Sequence, residues 1–93
     1  MVKHIVLYTL KDGVDKDQTV SMIASLLQPL VGRIPGLISL EVRRGYRGLD
    51  YALYSEFESR EALETYASHP LHQEAKTHFF DLLADRVVCD YDV

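Results

Sequence analysis

The chain has 93 residues, 47% of them apolar, and a formal net charge of −4, which suits one globular domain and no more. The negative balance argues against a nucleic-acid partner, which calls for a basic footprint. No apolar run reaches the roughly 18 residues that cross a membrane, and Cys89, the single cysteine, cannot form an internal disulfide and suits a reducing compartment. With no basic-then-apolar leader ahead of the first apolar run, the expected location is cytoplasmic.

His4 to Leu10 (HIVLYTL) is rich in β-branched, aromatic and aliphatic residues and reads as a strand, ended by Lys11-Asp12-Gly13. From Asp15 to about Val31, the residues Val20, Ile23, Leu26, Leu27 and Leu30 recur at helical spacing. Asp15 and Asp17 suit the positive end of that helix, Pro29 should kink or shorten its last turn, and Gly32 is a stop. Pro35-Gly36 marks a turn. Leu37 to Arg43 reads as a second strand, Gly45 and Gly48 bracket a hairpin loop, and Asp50 to Phe57 reads as a third strand.

Ser59 is a good helix N-cap with Glu61 in the first turn, and Leu63, Tyr66 and Ala67 form one face of that helix. Pro70 should break the helix near His69 and start a new one. Leu71, Ala75, Phe79, Leu82 and Leu83 would line a stripe of this second piece as far as Asp85, and Arg86 to Tyr91 reads as the last strand. The order is βαββαβ with the second helix split, the pattern of a ferredoxin-like α+β sandwich with four antiparallel strands and the helices on one face.

An open sheet with one wet face should alternate apolar and polar residues. Here Ile5 to Tyr8, Ala52 to Tyr54 and Val87-Val88 run together. Both faces want cover and the helices supply one, so the expected folding unit is a homodimer joined through the sheet face. A domain this small is marginal alone, which points the same way.

The segment Tyr66-Ala67-Ser68-His69-Pro70-Leu71-His72 gathers a phenol and two imidazoles, and His4 opens an otherwise apolar strand. Imidazole is the side chain that titrates nearest working pH, and a phenol donates or accepts. His72 falls inside the apolar arc of its helix and should face the sheet. There it is either a core histidine bonded to backbone or a semi-buried acid–base group, neutral because burial lowers its pKa. Tyr66 is either a core tyrosine or a donor that polarises a carbonyl. His4 is a satisfied core residue or a pocket residue. His69 caps the following helix or joins the pocket. His78 should be structural or superficial, and Cys89 a buried, inert thiol.

No carboxylate stands at ligand spacing beside the histidines, so no metal is expected. Arg44-Gly45-Tyr46 resembles the start of an RNA-binding signature but departs from it at Arg47 and Gly48, and it falls on a loop. Gly-rich phosphate loops, serine elbows and Cys-x-x-Cys pairs are missing, so no cofactor is expected.

The opening Val2-Lys3-His4-Ile5-Val6-Leu7, the turn Ile34-Pro35-Gly36-Leu37, the hinge Phe57-Glu58-Ser59, the unit Tyr66-x-x-His69-Pro70-x-His72 and the closing Asp90-Tyr91 together resemble the stress-responsive A/B barrel (Dabb) family across essentially the whole chain. The resemblance implies a dimeric α+β barrel. Many members are known only as stress-associated proteins. One plant branch, the olivetolic acid cyclases, closes a polyketide ring by an aldol step without a cofactor. On that likeness, Tyr66 and His72 match the catalytic pair, while His4 and His69 match residues beside the site. The expectation is a small homodimer with one mostly apolar cavity per subunit, taking an apolar or carbonyl ligand. Its alternative form is a cofactor-independent lyase, cyclase or isomerase using His72 and Tyr66 for acid–base chemistry.

Overall fold

Strand β1, Val2–Leu10, turns Val2, Val6 and Leu10 into the core and sends Leu7 outward, the alternation that a pleated strand imposes. The computed structural model describes residues 1–93. Helix α1, Lys16–Leu27, starts where the Asp15 carboxylate accepts the Gln18 N–H at 3.0 Å, and it buries Thr19, Val20, Ile23 and Leu27. Pro29 shortens the helix as expected, so its last residues form a separate 3-10 turn, Gln28–Leu30. Strands β2, Leu37–Arg44, and β3, Tyr51–Phe57, make the hairpin. Helix α2, Arg60–Ser68, is capped by Ser59, whose hydroxyl accepts the Ala62 N–H at 3.1 Å. Helix α3, Pro70–Thr77, restarts at the proline, and β4, Leu83–Asp92, closes the chain.

The sheet order is β2-β3-β1-β4, all antiparallel, the βαββαβ ferredoxin-like arrangement. Val6 lies opposite Leu53 of β3 and Val88 of β4, and Val42 of β2 lies opposite Leu53. The core fills the space between the sheet and α1, with Ile23, Leu27, Ile34 and Phe57 at its centre. The opposite face of the sheet is uncovered. On it Leu7 is 39% exposed, and its cross-strand neighbour Val87 is 57% exposed. Every residue of β4 from Ala84 to Asp92 is exposed.

Two expectations need correction. The last helix was expected to continue to Asp85, but α3 ends at Thr77. A 3-10 turn, Phe80–Leu82, follows, and β4 starts three residues before Arg86. The stripe of Phe79, Leu82 and Leu83 fits a helix by spacing, but pairing of Leu83 with Leu10 draws the chain into the sheet first. Cys89 is exposed rather than buried, because its position opposite Ile5 turns it to the uncovered face.

The turn before β2 leaves no room for a side chain. Gly36 has φ +85°, and a Cβ there would stand 2.5 Å from the Ala62 Cβ of α2. Gly36→Ala combines left-handed backbone strain with a clash, so a loss of about 2–3 kcal/mol is expected. A chemical denaturation midpoint equal to that of the wild type would contradict this packing of the turn on α2.

Candidate functional site

The break between α2 and α3 creates the site. Pro70 has no N–H, and His69 before it takes the extended conformation that a following proline favours (φ −64°, ψ 136°). The His69 Nδ1 accepts the Leu71 N–H at 3.1 Å. In a continuous helix that N–H would serve the Ala67 carbonyl. Released from it, the Ala67 oxygen accepts the Gln73 side-chain amide at 2.6 Å and lies 3.2 Å from the His72 Nδ1. Because a carbonyl only accepts, His72 must carry its proton on Nδ1, which leaves the Nε2 lone pair free.

His72 packs on Tyr66, with ring centroids 4.2 Å apart and planes at 30°. Tyr66 in turn lies 5.1 Å from the ring of Phe57, whose ring meets His4 edge-on at 6.3 Å. The rings of His4, Tyr66 and His72, with Phe57 packed behind them, form part of the wall of a cavity of about 660 Å³ between β1, β3 and β4 on one side and α2 and α3 on the other. Its lining is mostly apolar, and the volume is that of an ordinary small-molecule site.

Tyr66 is 3% exposed, yet its hydroxyl has no hydrogen-bond partner. Buried polar groups are nearly always paired, so this hydroxyl is an exception among the buried side chains of the fold. Burial first, and the neighbouring Tyr8 second, push the Tyr66 phenol well above its ordinary value, so it keeps its proton and donates. Burial lowers His72, partly offset by the bond to Ala67, so it is neutral and accepts. The wall thus carries a protonated donor beside an unprotonated acceptor.

That depression of His72 has a consequence for stability. The unfolded chain takes up a proton near pH 6.5, whereas the folded chain does so only at lower pH. The neutral ring's contribution is present above about pH 6.5 and is lost as pH falls through the folded value. His72→Gln should therefore flatten the acid side of the stability profile below about pH 6.5, measured by urea denaturation. Profiles that stay parallel for variant and wild type would contradict a depressed His72.

His4 lines the same cavity, with its Nδ1 2.5 Å from a carboxylate oxygen of Asp90, its cross-strand partner. The carboxylate fixes a proton on Nδ1. The structure therefore brings together Tyr66, His72 and His4. It does not bring in His69: of the two roles expected for that residue the structure shows the cap of α3, and its ring is not part of the cavity wall. His78 lies outside and faces Glu74 at 3.3 Å. No three His, Cys, Asp or Glu side chains cluster in a way that would hold a metal ion.

Among the polar wall residues that sequence reasoning missed, five bear on the chemistry of the site: Tyr8, Tyr51, Asp90, Lys76 and Arg86. Tyr8 and Tyr51 stack at 4.7 Å, and burial raises both phenols, against which the Arg86 guanidinium pulls Tyr8 back down. Strand parity held the signal for three of the five. Tyr8 shares a face with His4, and antiparallel pairing sets Asp90 opposite His4 and Arg86 opposite Tyr8.

With this geometry in hand, comparison with known proteins is informative. The profile of the family described as "Stress responsive A/B Barrel Domain" matches residues 2–93. A stress-response A/B barrel domain-containing protein of Arabidopsis thaliana is 31% identical over 96 residues, covering 97% of this chain and 87% of that protein. A crystal structure of a dimeric protein of unknown function with a ferredoxin-like fold, from Bacteroides fragilis, superposes with a TM-score of 0.89 at 30% identity, over 99% of this chain and 95% of the other. A dimeric ferredoxin-like protein of unknown function from Thermobifida fusca superposes with a TM-score of 0.82 at 25% identity, over 99% and 90%.

Proposed function

The chain belongs to the stress responsive A/B barrel domain family, and on that premise we propose that two copies pair through the outer faces of their sheets and that each holds one small carbonyl compound in its cavity. The observation that carries the ligand reading is the orphaned Tyr66 hydroxyl, buried on the wall of a mostly apolar cavity. A carbonyl oxygen is the acceptor that would satisfy it. The pairing is supported by the exposed Leu7 and Val87 on the uncovered sheet face and by the dimeric relatives.

A second reading, turnover, is favoured by one further observation: the two wall groups are shifted in opposite senses. The free Nε2 of His72 would take a proton from the carbon next to the carbonyl. The C–H bond breaks, an N–H bond forms, and the electron pair moves to the carbonyl oxygen. Tyr66 would steady that enolate by donating its O–H. Return of the proton to carbon, or attack of the enolate on a second carbonyl, gives isomerase or aldol-type lyase and cyclase chemistry. General acid–base help is worth typically 10²–10⁴ in rate, enough for an enolisation.

The test is an NMR screen of small enolisable ketones, followed by deuterium exchange at the carbon beside the carbonyl. Binding shifts confined to Tyr66, His72 and their neighbours are expected. Exchange that is catalysed by the wild type and lost in His72→Gln would establish turnover, whereas binding without exchange would leave a ligand-binding protein. Shifts scattered over the surface, away from the cavity, would sink both readings.

A further inference from the structure

The charges around the cavity are sorted along β4. Toward its end, Asp90 is engaged by His4 and Asp92 by the Arg60 guanidinium. Toward its beginning, Arg86 lines the cavity opposite Tyr8 and beside the Tyr8–Tyr51 stack. Lys76, on the last turn of α3, lines the same cavity with its ammonium 5.6 Å from the centre of the Phe80 ring.

Neither cation has a carboxylate within ion-pair distance. Asp85, next to Arg86 in the chain, faces the other way and accepts from the Thr9 hydroxyl. Asp81 and Lys76 border a neighbouring surface hollow without coming into ion-pair reach. Glu64, the remaining carboxylate of the wall, sits on α2 one turn beyond Arg60. Both cations lie near enough to His72 for their charge to oppose its protonation. Two cations without a carboxylate partner on the wall of a mostly apolar cavity, together with an unpartnered hydroxyl, describe a two-point site.

We propose that the cavity selects an acidic ligand: a carbonyl compound whose carboxylate is held by Arg86 and Lys76 while its carbonyl oxygen reaches Tyr66. The inference rests on the carbonyl-binding reading above and adds to it the charge of the ligand. A planar guanidinium fork matches a carboxylate through two parallel N–H bonds, and the ammonium adds a point charge. The apolar wall between the two ends suits an aromatic or aliphatic spacer. The ends of the site then divide the work, with the charged end orienting the ligand and the inner end meeting the reactive group.

The experiment compares para-acetylbenzoate with its neutral methyl ester, titrated by NMR into the wild type, Arg86→Gln and Lys76→Gln. Folding of each variant is checked by its amide spectrum. The acid is expected to bind the wild type about tenfold more tightly than the ester. That preference should vanish in Arg86→Gln, shrink in Lys76→Gln and weaken with added salt. Ester binding as tight as acid binding, with shifts at Tyr66, would overturn the charge selection and leave the carbonyl reading standing. A preference that survives in both variants would overturn the assignment to these cations. Displacement of para-acetylbenzoate by an equal concentration of inorganic phosphate would replace the carboxylate with a phosphoryl group. If neither probe moves the cavity resonances, this inference and the reading beneath it both fall.

Discussion

Tyr66→Phe is expected to make the protein more stable and less capable. The phenol is buried without a partner, and such a group costs roughly 1–3 kcal/mol of desolvation that folding must carry. Phenylalanine keeps the ring contacts with Phe57 and His72 and discards the orphan oxygen. A gain of about 1 kcal/mol follows, which for a domain of this size raises Tm by about 4–8 °C. Ligand binding should weaken at the same time by about tenfold. If the protein turns a substrate over, its rate should drop by about 10²–10³, as when an oxyanion donor is removed. Opposite movement of stability and function is the signature of a group kept for its chemistry. A destabilised Tyr66→Phe that binds ketones as the wild type does would make the hydroxyl a structural element and remove the centre of the proposed site.

The second large effect concerns pairing. Leu7 and Val87 face each other across β1 and β4 on the uncovered side of the sheet. In the proposed pair both would be buried, so a glutamate at either position would bring an unpartnered charge into an apolar interface, at a cost of several kcal/mol per subunit. Leu7→Glu is expected to weaken association at least a hundredfold and to lower thermal stability, because a domain this small leans on its partner. Sedimentation should give twice the 10.6 kDa chain mass for the wild type at micromolar concentration and a single chain for the variant. A wild type that sediments as one chain, unaffected by Leu7→Glu, would refute the pairing.

What the sequence disclosed and what it withheld divide along the range of the interactions involved. The order of strands and helices followed from local periodicity. Pro29 and Pro70 acted where they were expected to act, because a missing N–H is felt within one turn. The end of α3 was illegible. The apolar spacing from Phe79 to Leu83 suits a helix as well as a turn entering a strand, and the choice was made by Leu10, more than seventy positions earlier in the chain. The same holds for the site. Tyr66 and His72 could be singled out because they lie within one helix break. Asp90, Arg86 and Tyr51 reach the cavity only through the register of the sheet. His69 carried two readings, cap or pocket, and a local demand decided between them: its imidazole meets the Leu71 N–H that the break left open.

The two-sidedness of β4 has an evolutionary corollary. Arg86, Val88 and Asp90 look into the cavity while Val87 and Cys89 look away from it, an alternation that ends only where Tyr91 and Asp92 both border the cavity, so adjacent codons of the ribbon face different demands. In the proposed pair, alternate residues of this one ribbon could change the cavity while the positions between them keep the interface. A single-residue insertion in the ribbon would exchange the two sets and should be purged from the lineage.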